Sequence, residues 1–145
     1  MFCFSVTQRA SEVVAFSAYA NVDVTYSRNQ VIDFPNVQSN IGSAYDTSSN
    51  RFYCPVTGLY MFASGCLTFS EDRAELVITI NGIASASAYA EAGTDSMSSF
   101  LIFDECEEGQ YVEVRCGPRF DECQCNSEEF FASTSFSGML VGLII

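Results

Sequence analysis

Histidine is absent from this 145-residue chain, and its six basic residues are all arginine: Arg9, Arg28, Arg51, Arg73, Arg115 and Arg119. Each absence removes a kind of chemistry. Without histidine there is no Ser-His-Asp or Cys-His nucleophile. Most catalytic zinc sites go with it, leaving only an all-cysteine site. Without lysine there is no Schiff base and no phosphate-cradling Gly-Lys-Ser/Thr loop. Glu107 and Glu108 are paired carboxylates, but nothing marks them as a glycosidase pair. No catalytic residue is assigned, and the chain does not read as an enzyme. No apolar run reaches transmembrane length. There is no Asn-x-Ser/Thr sequon, no Gly-X-Y segment and no heptad stretch.

What is present is acid, aromatics and cysteine. Eighteen Asp and Glu against six Arg give a net charge of −12. A nucleic acid or an anionic membrane is a poor partner for such a surface. Cationic ligands, divalent metals and neutral glycans suit it better. Seven cysteines are many for a cytosolic protein and point to a secreted one with disulfides. The number is odd, so at least one thiol is free or pairs between chains. Residues 1–7 (MFCFSVT) are too short for a signal peptide; a secreted form is expected to have lost its leader. Thirteen Phe and seven Tyr, with many Val, Ile and Thr, favour strands. The length suits one domain, read as residues 13–145 behind an N-terminal segment, 1–12.

Along the chain, strands are expected at 13–18, 22–26, 51–54, 58–69, 74–80, 83–90, 97–103, 110–115 and 130–145, with 30–34 leading into Pro35 and a polar turn. In the 58–69 run, Tyr60 and Phe62 point one way and Leu59, Met61 and Ala63 the other. Asn81-Gly82 is a hairpin turn. Residues 39–50 read as turns, 104–109 as an acidic turn, and 117–129 as a long polar loop. The last eight residues are almost wholly apolar, so they are either buried on both faces or covered by another subunit. Short strands at regular intervals describe an antiparallel sandwich.

The stretch from Phe34 to Phe62 narrows this further. Its skeleton is Phe34, Asn40, Tyr45, Phe52, Gly58, Tyr60 and Phe62, aromatics interleaved with turns. It resembles the signature of the complement C1q-like globular head domain, in the C1q/tumour-necrosis-factor superfamily. Ser64 departs from the aromatic usual there. Ala15 to Ala18 resembles the family's opening strand, and Val77 to Gly82 the strand and turn after the signature. Gly109 to Val114 resembles Gly-Asp-x-Val-x-Val, with Gln110 for Asp. Ser135 to Leu140 resembles the closing segment. The resemblance implies an all-β, ten-stranded antiparallel jelly-roll sandwich that assembles as a homotrimer, with the signature aromatics in the core or at subunit seams. It implies that Cys66 reaches Cys123 or Cys125. Cys116 would then close on the other of these or on Cys106. Cys54 stands where relatives carry a buried unpaired Cys, and Cys3 is left to bridge another chain.

The functional residues are expected in the loops. Glu71, Asp72, Arg73, Arg119, Asp121 and Glu122 are the candidate ligand-binding residues. Arg119 suits a glycan carboxylate or sulfate. Asp104, Glu105, Glu107 and Glu108, four carboxylates within five residues, suit Ca²⁺, as do Glu91 and Asp95. The resemblance implies a stemless, secreted, lectin-like pattern-recognition module of innate immunity. Such a module binds microbial glycans or other repeating surface polymers, with neither nucleic acid nor membrane insertion. A calcium-binding matrix or biomineral protein is the alternative.

Overall fold

The computed structural model describes residues 13–128 and 131–144; the 1–12 segment and Cys3 lie outside them. The strands are Ala15–Ala20 (β1), Val24–Ser27 (β2), Asn36–Ile41 (β3), Tyr45–Asp46 (β4), Arg51–Tyr53 (β5), Gly58–Thr68 (β6), Ala74–Ile80 (β7), Ile83–Ala90 (β8), Ser96–Cys106 (β9), Tyr111–Cys116 (β10), Glu122–Cys125 (β11) and Thr134–Leu143 (β12). Ten of them form two five-stranded sheets, ordered β3-β1-β12-β6-β9 and β4-β5-β10-β7-β8. Every pairing is antiparallel. The other two make a ribbon, β11-β2, tied to the sheets through Asn126 N–H to Leu67 O and Gln124 N–H to Arg73 O. This is the jelly-roll sandwich expected.

The signature residues build its centre. Phe34, Tyr45, Phe52, Tyr60 and Phe62 are buried with Phe16 and Phe136. Phe16 stacks on Tyr45 and Phe52 at 5.0 and 4.9 Å and meets Phe136 edge-on at 4.8 Å. Each such ring is worth roughly 1.5–3 kcal/mol in buried area. The polar members of the signature hold the turns. The Asn40 side chain accepts from Tyr45 N–H and donates to Tyr45 O, at 3.1 and 2.9 Å. The Tyr45 hydroxyl donates to Phe34 O at 3.1 Å. Two glycines answer to close approach. A Cβ at Gly58 would lie 2.6 Å from Gly142 O, and one at Gly138 would lie 2.6 Å from the Phe62 ring.

Several expectations need correction. Residues 39–50 are not all turn: β3 and β4 occupy much of this region as polar edge strands. Both faces of β3 are partly exposed, so it shows no period of two. Residues 30–34 lead into Pro35 as expected, with a single bridge from Val31 to Arg115. The 104–109 turn is shorter than expected, because Asp104, Glu105 and Cys106 continue β9. The 117–129 loop contains β11. The cysteine pattern holds in part: Cys116 closes on Cys123 and Cys66 lies at Cys125, as expected, but Cys54, expected to be unpaired, is bridged, and the Cys66–Cys125 pair is not closed. Cys54 is bonded to Cys106, and Cys116 to Cys123. Cys66 and Cys125 stay free and buried, with the Cys66 thiol 3.0 Å from Cys125 Sγ. The end of β12 is not buried on both faces: Met139, Val141 and Leu143 are exposed.

Candidate functional site

The fold sorts the candidate residues between its two ends. Strand β6 pairs with β9 from Gly58↔Cys106 to Thr68↔Ser96. Glu107 and Glu108 therefore sit at one end, where Glu108 N–H donates to the Thr57 hydroxyl at 3.0 Å. Glu91 and Asp95 sit at the other, beside the 69–73 turn, joined by Gly93 N–H to Ser70 O. Asp104 accepts a hydrogen bond from the Ser85 hydroxyl at 2.6 Å, across the edges of the two sheets. The six carboxylates suited to Ca²⁺ are thus dispersed, and the four-carboxylate turn dissolves into a strand and a two-acid turn. Among the described residues, no group of three or more His, Cys, Asp or Glu is placed to hold a metal.

The ligand-binding candidates, by contrast, converge. The Glu71–Arg73 turn is stapled to β11: Arg73 N–H donates to the Gln124 side chain at 3.1 Å, and Gln124 N–H returns to Arg73 O. Arg119, Asp121 and Glu122 follow in the loop closed by the Cys116–Cys123 bridge. Arg28 pins this loop from below, Nε to Phe120 O at 3.1 Å and Nη2 to Asp121 at 2.6 Å. The buried Glu75 carboxylate accepts from Arg119 N–H at 2.9 Å and pairs with its guanidinium at 3.5 Å. A Cβ at Gly117 would collide with that carboxylate. Arg119 also lies 3.6 Å over the Tyr89 ring, and Arg73 4.9 Å over Phe120, geometries suited to cation–π attraction. Nothing local marks Arg28 or Glu75, because their partners are 93 and 44 residues away.

A second cluster lies on the outer face of the β4-β5-β10-β7-β8 sheet. Val112 and Val114 turn to the core, so Glu113 and Arg115 turn outward. Glu113 is nevertheless fully buried, between Arg51 Nε at 2.9 Å and Arg115 Nη2 at 2.6 Å. The Glu113 hydrogen bond raises the Arg51 pKa, fixing its charge. Arg51 covers the Tyr111 ring at 4.0 Å. All the described arginines therefore lie on this sheet (Arg51, Arg115), in its bridged loop (Arg119) or against that loop (Arg28, Arg73). The geometry presents fixed guanidiniums that suit selective binding.

The family model described as "C1q domain" matches residues 15–141, and the chain belongs to that family. One of the subunits of the human complement C1q subcomponent is 39% identical over 54 residues, 37% of this chain and 21% of that protein. Mouse "Complement C1q tumor necrosis factor-related protein 3" is 30% identical over 95 residues, 63% of this chain and 38% of that protein. This chain thus spans well under half the length of these curated relatives. Among solved structures, the globular domain of zebrafish complement 1qA superposes with a TM-score of 0.72 at 17% identity, covering 92% of this chain and all of that one. Eiger TNF from S. frugiperda gives 0.73 at 12% identity, covering 92% and 95%. The chain carries a C1q domain on a jelly-roll frame that the TNF structure shares.

Proposed function

We propose that the chain acts as a secreted homotrimer that recognises repeating surface polymers, microbial glycans among them, in the manner of an innate pattern receptor. The observation that carries this is the contrast between the two outer faces. On the β3-β1-β12-β6-β9 sheet, Met139, Met61 and Phe103 are aligned across three strands, with Leu101 beside them. Phe103 is 60% and Leu101 56% exposed. A contiguous apolar face of this kind marks a contact surface, and a closed symmetric assembly is the economical way to cover it. The other sheet keeps its charged loops in water. Three weak sites on one body add avidity of roughly 10²–10⁴ over a single site. The two intrachain disulfides fit an extracellular protein.

Sedimentation should find a trimer, and the Leu101→Arg variant should sediment as a monomer with unchanged far-ultraviolet circular dichroism. The trimer should be retained on lipopolysaccharide or peptidoglycan and the monomer released, in parallel runs with and without Ca²⁺. A verified trimer that binds no glycan or polymer in either run would sink the proposal.

A further inference from the structure

The outer face of the β4-β5-β10-β7-β8 sheet carries an open groove of about 490 Å³, a volume in the range of small-ligand sites. Its floor is Val77, Thr79, Ala84 and Arg115, and its sides include Arg28 and Pro118. Two guanidiniums line it and no carboxylate does, although acids outnumber arginines 18 to six in the chain. Arg115 is held rigid, by Glu113 and by Nη1 to Asn29 O at 2.8 Å. Arg28 spends Nε and Nη2 on the bridged loop; its Nη1 has no partner among the described residues. The Thr79 hydroxyl is buried without a hydrogen-bond partner among them. An orphaned hydroxyl is costly to a fold, and a χ1 turn would exchange it with the methyl group and offer it to the groove.

The groove continues past Val77, Ala84 and Pro118 into a second stretch of about 340 Å³, lined by Ser85, Ser87 and Glu75. The whole is therefore polarised, cationic at one end and rich in hydroxyls with one carboxylate at the other. The free Nη1 of Arg28, beside the charge of Arg115, suits a carboxylate, while the lone pairs left on Ser85, Ser87 and Glu75 suit sugar hydroxyls. We infer that this groove is a subsite for an acidic oligosaccharide. The sugar carboxylate lies at Arg28 and Arg115, and the neighbouring ring lies over Ser85, Ser87 and Glu75. This rests on the glycan-recognition reading above and names the ligand class and the place.

The test uses the trimer, trigalacturonic acid, its methyl ester as the neutral counterpart, and inorganic sulfate, read by calorimetry and by amide shifts in nuclear magnetic resonance. The acid is expected to shift residues 28–29, 77–87 and 115–118 and to bind at least about tenfold more tightly than the ester. Ala84→Glu, an exposed position that places a carboxylate in the floor, should lose about tenfold or more with an unchanged melting curve, and Thr79→Val a few-fold while melting no lower than the parent. Sulfate should compete only weakly. Equal binding of acid and ester, shifts elsewhere, an unaffected Ala84→Glu variant, or sulfate competing as well as the sugar would each overturn the assignment. If any of these occurs while the trimer still binds other glycans, the groove fails and the recognition function stands. If no glycan binds at all, both fail.

Discussion

Replacing Arg115 by methionine is expected to destabilise the fold by about 3 kcal/mol in urea unfolding with disulfides intact. The reason is the burial of Glu113, which is wholly out of water and held by Arg51 on one oxygen and Arg115 on the other. Removing one partner leaves half of a buried carboxylate unpaired, which costs more than the pair contributes. Arg51 remains, so the loss should sit at the lower end of what such breakages cost. The double change Glu113→Leu, Arg115→Met removes the stranded charge and leaves only Arg51, one-third exposed. It should therefore be more stable than Arg115→Met alone. A single-variant loss below about 1 kcal/mol, or no recovery in the double variant, would show that the cluster is not coupled as described.

Oxidised glutathione is expected to join Cys66 to Cys125. The two thiols give up two protons and two electrons to the glutathione disulfide, which leaves as two glutathione thiols. Cys66 already donates to Cys125 at 3.0 Å, 59 residues apart in sequence. A loop of that length would contribute about 4 kcal/mol on entropy alone, but the Cys54–Cys106 bridge already shortens the path, so about 3 kcal/mol is expected. The reaction should be slow in the native state. The hydrogen bond shared with the Cys66 thiol, and burial after it, push the Cys125 thiol well above its usual pKa, so thiolate is scarce. Mild urea should accelerate closure by exposing β11. Peptide mapping decides the matter: a Cys66–Cys125 peptide lighter by about two hydrogens supports it. Persisting thiols, or a bridge to any other cysteine, refute it.

The frame was legible because its signals are local. The alternation of Tyr60 and Phe62 against Leu59, Met61 and Ala63 is a strand in any fold, and the spacing of Phe34, Asn40, Tyr45 and Gly58 is set by turns that the same residues hydrogen-bond. β3 was not legible, since a polar edge strand has no buried face to print a pattern. β11 was hidden because its mixed Glu-Cys-Gln-Cys sequence becomes a strand only by pairing with β2. Cysteine partners were partly legible: Cys66 was expected near Cys123 or Cys125 and lies at Cys125, whereas Cys54 needed the third dimension to meet Cys106. Among site residues, Arg73, Arg119, Asp121 and Glu122 stood out by local charge and do converge. Arg28, Glu75 and Thr79 had no such mark, because a groove is drawn from strands that are neighbours in space alone.

The groove and the exposed apolar ladder lie on opposite sheets of the sandwich. Any closed assembly covering the ladder must turn the grooves outward, away from one another. Such a particle cannot close all its sites on one short chain. On the proposed reading it would cross-link, and the expected signature with a polymer-coated cell or particle is agglutination. Its response should pass through a maximum as protein is added, because excess particles cap the polymer without bridging it.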